Sequence, residues 1–316
     1  AKDYMDGTSN FYGVHSVTLY VDSVQVFNST TDKVLPDENR MINGFTDYEE
    51  LTRTRRLIMR SYKLPGNRLR LLHTNENRGA VTIDEERDYH FRYVLEDNFG
   101  NRRTYQFIVK GKRQDIPEYK PEANEMLYWN RTNVIQKPGM ELVVPRYHVY
   151  ENVPLRTDMR GDSSRIAFDY ILDAGRTPIH SYCDLSIGLR HMPVADTTKY
   201  YIVQKAGKWR SSMGGKYANG WIKTRVRSLG TFSVDVDTIA PQITPIGQGG
   251  WRTSRNIRFR IKDMESGIGS YKVYIDGKFV LFGLKKGIVV IQDPEKVKKG
   301  VPHKLEVTVT DQCGNM

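Results

Sequence analysis

Hydrophobic and polar residues alternate through residues 14–27, VHSVTLYVDSVQVF, and the alternation breaks once, at Asp22-Ser23. A period of two around a turn-forming pair predicts a β-hairpin. Residues 271–282, YKVYIDGKFVLF, repeat the design with Asp276-Gly277 between the arms, and Asp-Gly suits the positive-φ positions of a two-residue hairpin loop. An acidic, glycine-containing stretch precedes each hairpin, AKDYMDGTSNFYGV at 1–14 and IKDMESGIGSY at 261–271. After insertions of different length, each hairpin is followed by a strand-like run closing on the same Asp-x-x-Gly-Asn turn, YHFRYVLEDNFGN at Asn101 and HKLEVTVTDQCGN at Asn315. The two ends of the chain therefore read as copies of one β-sandwich module. In the shared turn Asp97 or Asp311 accepts backbone hydrogen bonds, and Gly100 or Gly314 supplies a positive φ. A calcium loop through Asp263, Glu265 and Asp311 is the alternative reading, although calcium takes roughly six to eight oxygens and only these three residues present themselves.

Residues 46–62, TDYEELTRTRRLIMRSY, carry the strongest helical pattern. Thr46 and Glu49 have capping-box spacing, acids fill the first turn, arginines follow, and Pro65-Gly66 lies beyond. A helix here puts Tyr48, Leu51, Ile58, Met59 and Tyr62 on one face and projects Arg53, Arg56 and Arg60 outward, either as a solvated stripe or as a contact for an anionic polymer. Residues 114–121 mix prolines and charges and read as a linker, as does DTIAPQITP at 237–245. Between them the stretches 142–150, 165–172, 185–189, 200–204 and 231–236 are strand-like, separated by glycine-containing turns. The expected architecture is all-β: three consecutive immunoglobulin-like β-sandwich domains at 1–112, 118–238 and 239–316, the first carrying the inserted helix. Aligning the repeat on itself leaves only Ala1-Lys2 opposite the strand-like residues 256–262, and only Met316 opposite 103–109. The end modules are therefore expected to lack an N-terminal and a closing strand, respectively.

Composition changes the picture in two ways. The 316 residues hold 48 Lys and Arg against 37 Asp and Glu, a net charge of +11, which bears on partners rather than fold. These bases are spread along the chain without an RNP motif, zinc-finger spacing or basic helix, which argues against nucleic acid; an anionic envelope polymer, or simply solubility, explains the excess as well. No apolar run approaches the roughly 18 residues of a membrane span. Two distant cysteines, Cys183 and Cys313, define no disulfide framework.

Catalytic chemistry is not apparent. Among the seven histidines (15, 73, 90, 148, 180, 191 and 303) no two are separated by one residue and no His-Glu-x-x-His occurs, so common zinc-peptidase patterns are missing. His180 and Asp184 stand four apart without a third histidine nearby. No Gly-x-Ser-x-Gly elbow is present, and neither cysteine sits in a nucleophile motif. The glycine-rich MGGKYANGW at 213–221 lacks the Gly-Lys-Ser/Thr of a phosphate loop and reads as a turn displaying Tyr217 and Trp221, either as sugar-stacking rings or as core.

The segments DYMDGTSNFYGVHSVTLYVD, INGFTDYEELTRTRRLIMRSY, VTIDEERDYHFRYVLEDNFGN and GWIKTRVRSLGTFSVDVDTIAPQITP resemble the region downstream of the peptidase domain in lysostaphin/LytM-type zinc metallopeptidases of Bacteroidetes. The resemblance implies a non-catalytic accessory region of an exported peptidoglycan endopeptidase, periplasmic or secreted. Its partners would be its own peptidase domain and the peptidoglycan. No cofactor belongs to this chain, because the family's zinc is held by His-x-x-x-Asp and His-x-His motifs in the peptidase domain. His180 and Asp184 copy only the first spacing. The alternatives are an independent envelope adhesion or glycan-binding protein and a hydrolase hidden in the middle domain.

Overall fold

The computed structural model describes residues 3–4, 11–118, 121–162, 164–173 and 175–316, and their regular structure is almost entirely β. The first module contains β1 (Asp3–Tyr4), β2 (Phe11–Tyr12), β3 (Ser16–Val21), β4 (Val24–Thr30), α1 (Ile42–Phe45), α2 (Tyr48–Thr54), β5 (Leu72–Thr74), β6 (Asp88–Glu96) and β7 (Arg102–Lys110). The middle module contains β8 (Glu125–Leu127), β9 (Asn133–Lys137), β10 (Met140–Val144), β11 (Val153–Arg160), β12 (Asp169–Asp173), β13 (Cys183–Gly188), β14 (Tyr200–Ala206), β15 (Trp209–Ser212), β16 (Lys216–Ala218), β17 (Trp221–Val226) and β18 (Gly230–Val236). The third contains β19 (Gln242–Pro245), α3 (Trp251–Ser254), β20 (Arg258–Lys262), β21 (Ile268–Ile275), β22 (Lys278–Phe279), β23 (Phe282–Lys285), β24 (Ile288–Ile291) and β25 (Leu305–Asp311).

In the middle module two antiparallel sheets, β16-β17-β13-β10-β9 and β15-β14-β18-β12-β11-β8, face each other. Leu142, Leu185, Ile187 and Ile222 of the first pack with Leu155, Leu172, Ile202 and Phe232 of the second, the alternating inward residues that a sandwich requires. The third module pairs β19-β20-β24-β23 with β22-β21-β25. In the first, the sheet β5-β4-β3-β6-β7 buries Leu19, Val21 and Phe27 against Met41, Phe45, Leu64 and Leu69 of the inserted segment. Glu38 ties that insertion down. Its carboxylate accepts from Arg70 Nε at 2.7 Å and from the Leu35 N–H, which hold its pKa at about 2.

The repeat is three-dimensional. Ser16 pairs with Glu96 and Val21 with Phe91, as Ser270 pairs with Thr310 and Ile275 with Leu305. Asp22 exchanges bonds with the His90 backbone, and Asp276 does the same with Lys304. Both hairpin turns take positive φ at their two central residues, Asp22-Ser23 and Asp276-Gly277. The acidic stretch of the first copy lies largely outside the described residues.

The helix is shorter than the 46–62 pattern predicts. Asp47, not Thr46, is the N-cap and accepts from the Glu50 N–H at 3.1 Å. Thr52 and Thr54 donate their hydroxyls back to the Tyr48 and Glu50 carbonyls, a competition that weakens helices, and Arg55 ends the turn in the left-handed region at φ 66°. Residues 57–59 and Tyr62 are exposed instead of forming an apolar helix face. Thr46 instead bridges to Met59. In the middle module the stretch expected at 142–150 ends as a strand at Val144, since Pro145 has no N–H to continue a ladder. The stretch at 165–172 becomes β12, and β8, β9, β11, β15, β16 and β17 are strands beyond the five expected stretches. Residues 237–245 are no free linker: β19 occupies their second half, and Asp237 is 1% exposed.

Residues beyond Pro145 form the junction with the first module. The Tyr150 ring enters the first module's core, and its hydroxyl donates to the Arg40 carbonyl at 2.7 Å. The Arg40 guanidinium in turn donates to the carbonyls of Ile179 and His180. Gly44 and Gly66 allow the close approach, because a Cβ on Gly44 would stand 2.7 Å from the Tyr150 ring and one on Gly66 2.9 Å from the Tyr150 carbonyl. The Tyr150 hydroxyl also lies 3.1 Å from His180 Nδ1. Burial, His148, Arg68 and Arg40 together push the His180 pKa below its ordinary value.

Two outcomes follow from this junction. Gly44→Ala should destabilise the protein by about 1–3 kcal/mol through overpacking, read by thermal unfolding, with faster amide exchange at both 39–45 and 179–183. Because the folded state disfavours the His180 proton, the unfolded state takes it up first as pH falls below about 6.5. The junction should therefore lose stability from pH 7.5 to 5.5, and His180→Gln should flatten that slope in denaturant titrations.

Candidate functional site

The strand β17 continues as WIKTRVR from Trp221 to Arg227, and its alternation separates two chemistries. Ile222 and Val226 are buried in the core, so Trp221, Lys223 and Arg225 project from the opposite, outer face of the sheet. The Asn219-Gly220 turn, both residues at positive φ, joins β16 to β17 and fixes this register. Lys216 then lies directly across from Lys223, and Ala218 from Trp221. On the other side Ser186 lies across from Lys223, Asp184 from Arg225 and Gly188 from Trp221. A Cβ on Gly188 would sit 3.6 Å from three atoms of the Trp221 ring, so the indole rests on bare backbone as a platform.

The electrostatics of this face are lopsided. Two lysines directly opposite across a ladder repel one another. Asp184 faces Arg225 in register, yet the Arg225 guanidinium stands over the exposed Tyr182 ring at 5.1 Å, beside that of Arg227 at 4.4 Å. Glu141, in the same row as Ser186, accepts from Gln136 Nε2 at 2.9 Å. None of Lys216, Lys223, Arg225 and Arg227 forms an ion pair among the described residues. The arrangement of one flat indole, one exposed phenol and four cations outside any ion pair suits a ligand with planar apolar faces and repeated negative charge.

The residues singled out by sequence fall differently. Trp221 belongs to this face. Tyr217 is the register partner of Ile222, so it lies on the core side at the sheet edge, and the two aromatics share no surface. Arg53, Arg56 and Arg60 form no stripe. Arg53 pairs with Glu50, Arg56 is exposed beyond the end of α2, and Arg60 folds inward to donate to the Thr46 carbonyl at 2.7 Å. The chain leaves the helix before Arg60, which is why the expected spacing dissolves. Lys216, Lys223, Arg225, Arg227 and Tyr182 went unrecognised, although the alternation in WIKTRVR carried the signal.

Groups capable of holding a cation converge elsewhere. Carboxylate oxygens of Asp237, Asp263 and Asp311 lie within 4.8 Å of one another. Asp237 thus stands where Glu265 was expected, while Glu265 accepts from the Tyr201 hydroxyl at 3.3 Å. All three carboxylates already accept protein donors. Asp237 receives the N–H groups of Ile239 and Ser266 at 3.0 Å, and Asp263 receives those of Glu265 and Gly267. Asp311 receives Cys313 N–H, Asn315 N–H and Asn315 Nδ2. With Asn315 Nδ2 also donating to the Asp237 carbonyl and Lys199 Nζ to the Cys313 carbonyl, this cluster staples the third module to the middle one. His180 and Asp184 do not join any such group among the described residues. Both cysteines are free and buried. Burial pushes the Cys183 thiol up to about 12 and the Cys313 thiol up to about 11, which removes both as neutral-pH nucleophiles.

Residues 124–237 match the family described as the Zu5-like domain, a span that coincides with the two facing sheets of the middle module. The chain is also similar to a Ca2+-stabilized adhesin that helps an Antarctic bacterium reach out and bind ice. That match has 11% identity, covers 96% of this chain and 88% of the other, and has a TM-score of 0.18. A 1.5-MDa bacterial ice-binding adhesin matches at 10% identity over 97% and 84%, with a TM-score of 0.14. No curated protein matches the chain.

Asp237→Ala should strand the buried N–H and hydroxyl of Ser266 and cost about 1–3 kcal/mol for each donor left without water. A lowered unfolding midpoint, with the third module opening first in amide exchange, is the expected reading.

Proposed function

We propose that this chain is a non-catalytic adhesion or glycan-binding region of a bacterial envelope protein, engaging an anionic polysaccharide through the outer face of β16, β17 and β13. The observation that carries the reading is the Trp221 platform on Gly188 surrounded by four cations without ion pairs. Side chains two apart on a strand recur at roughly 6.6 Å and strands at about 4.8 Å, so the face offers a two-dimensional array of positive charge rather than a closed pocket. Such an array favours a polymer with repeated carboxylates over a single small anion. Charge supplies reach and the indole supplies a sugar-sized stacking surface.

The rest of the molecule fits a binding role. Each junction is packed, which supports an array whose modules keep a fixed relation. No helix among the described residues is long and apolar enough to cross a membrane. The accessory role beside a peptidoglycan endopeptidase rests on the sequence resemblance alone. In that version the same face would anchor the enzyme to the wall, with zinc confined to the separate peptidase domain.

Sedimentation with purified bacterial sacculi and retention on immobilised alginate should both be detectable at low salt and fade as ionic strength passes about 0.15 M, where exposed charges are screened beyond about 8 Å. Combining Lys223→Gln, Arg225→Gln and Arg227→Gln should abolish retention, and Trp221→Ala should weaken it. Retention unaffected by these changes, or a clear preference for double-stranded DNA over the polysaccharides, would sink the reading.

A further inference from the structure

The third module opens a groove at a place where the first is closed. In the first copy β4 stays beside β3 from the Asp22-Ser23 turn to Ser16↔Thr30, so Val17 faces Ser29. In the third copy β22 follows β21 only through Ile275↔Lys278 and Tyr274↔Phe279, and a last bond joins the Val280 N–H to the Val273 carbonyl at 3.3 Å. The chain then crosses to the opposite sheet, where the Gln292 N–H donates to the Leu281 carbonyl and β23 pairs with β24. The N-terminal half of β21 is left with β25 on one side and a groove on the other. This opening lies between consecutive strands of the chain, β21, β22 and β23.

Alternation along β21 decides what the groove presents. The Asp276 N–H donates to the Lys304 carbonyl at 2.9 Å, so Tyr274 and Lys272 bond β25 and the backbone of Tyr271 turns the other way. No bond takes up the Tyr271 N–H or carbonyl among the described residues. Its side chain crosses to the opposite sheet, where the hydroxyl donates to the Phe282 carbonyl at 2.9 Å. The groove has a volume of about 420 Å3 and is lined by Ile268, Tyr271, Val273, Phe279, Leu281 and Leu284. Phe279, Leu281 and Leu284 are 65%, 51% and 45% exposed, a concentration of apolar surface that marks an interaction site. The charges along 268–286 are Lys272, Lys278, Lys285 and Lys286, none in an ion pair among the described residues, and Asp276, which is already held by His303 at 2.6 Å.

We propose that this groove binds an acidic, extended peptide, laid antiparallel to β21 in the place that the second half of β4 takes on β3. The Tyr271 N–H and carbonyl offer main-chain bonds, which give affinity, and the apolar lining receives alternate side chains, which gives selectivity. β-Branched residues at those positions favour the extended form. Carboxylates flanking them complement the four lysines and set the choice of partner. This inference is independent of the basic face on the middle module.

The probe is the synthetic peptide DEVTVTVED, added to the full chain. At concentrations up to about 1 mM, enough to fill even a weak site, it should slow amide exchange at Tyr271 at least about tenfold, read by NMR. Replacing its three central residues by proline should remove that protection, since proline lacks the ladder donor. The lysine-flanked peptide KKVTVTVKK should bind at least about tenfold more weakly, as should the acidic peptide to a Leu281→Asp chain. Unchanged exchange at Tyr271 up to the highest peptide concentration overturns the proposal. So does equal protection by the proline or lysine-flanked peptide, or protection confined to other strands. Protection that grows with protein concentration alone also overturns it, because a second copy is then the occupant. The peptide variants read the groove even where Leu281→Asp disturbs the third core.

Discussion

Register in an antiparallel sheet is a discrete choice, and a slip of one residue exchanges the buried face for the exposed one. In this chain the choice is enforced at the strand ends by short turns whose side chains bond the neighbouring backbone. Asp22 and Asp276 each close a hairpin and reach across to the next strand, at His90 and Lys304. Asp97 and Asp311 close the following turn on themselves. Charged acceptors on backbone donors are stronger than neutral pairs, so these carboxylates hold pairings that the apolar alternation alone would leave open to sliding. The Asn219-Gly220 turn does the same for β16 and β17 by backbone conformation. The basic face depends on this, because one residue of slip would bury Lys223 and expose Ile222.

The modules are joined by side chains that serve two cores at once. Tyr150 belongs by chain to the middle module and by packing to the first, admitted by the missing side chains of Gly44 and Gly66. Tyr201 and Val203 of the middle module similarly pack with Cys313 of the third, beneath the Asp237, Asp263 and Asp311 cluster. Interfaces of this kind transmit orientation, because moving one module requires opening a core as well as breaking hydrogen bonds.

Charge is distributed with a purpose that the net value of +11 hides. Many cations are matched locally, as Arg70 is by Glu38 and Arg53 by Glu50, and contribute to the fold. On β17 Lys223 faces Lys216 across the ladder, and Arg225, although opposite Asp184, forms no ion pair; a partly solvated sheet face is where such repulsion is tolerable. Binding of an anionic polymer there would relieve strain that folding leaves in place.

The all-β architecture, the repeat and its hairpins follow from the sequence, because period-two alternation and turn dipeptides are local and carry their own geometry. Local signals misjudged the helix, where a run of threonines and a left-handed Arg55 outweighed a good apolar spacing. They also paired Tyr217 with Trp221 by nearness in the chain, whereas the intervening turn and the pleat put the two rings on opposite faces. Glu265 and Asp237 exchanged expected places for the same reason: Asp237 lies far from Asp263 in sequence and meets it only because the third module docks at that point. Which residues alternate was written in the sequence. Which neighbours they meet was decided by cross-strand register and module docking, which depend on contacts between segments too distant in the chain to leave a local trace.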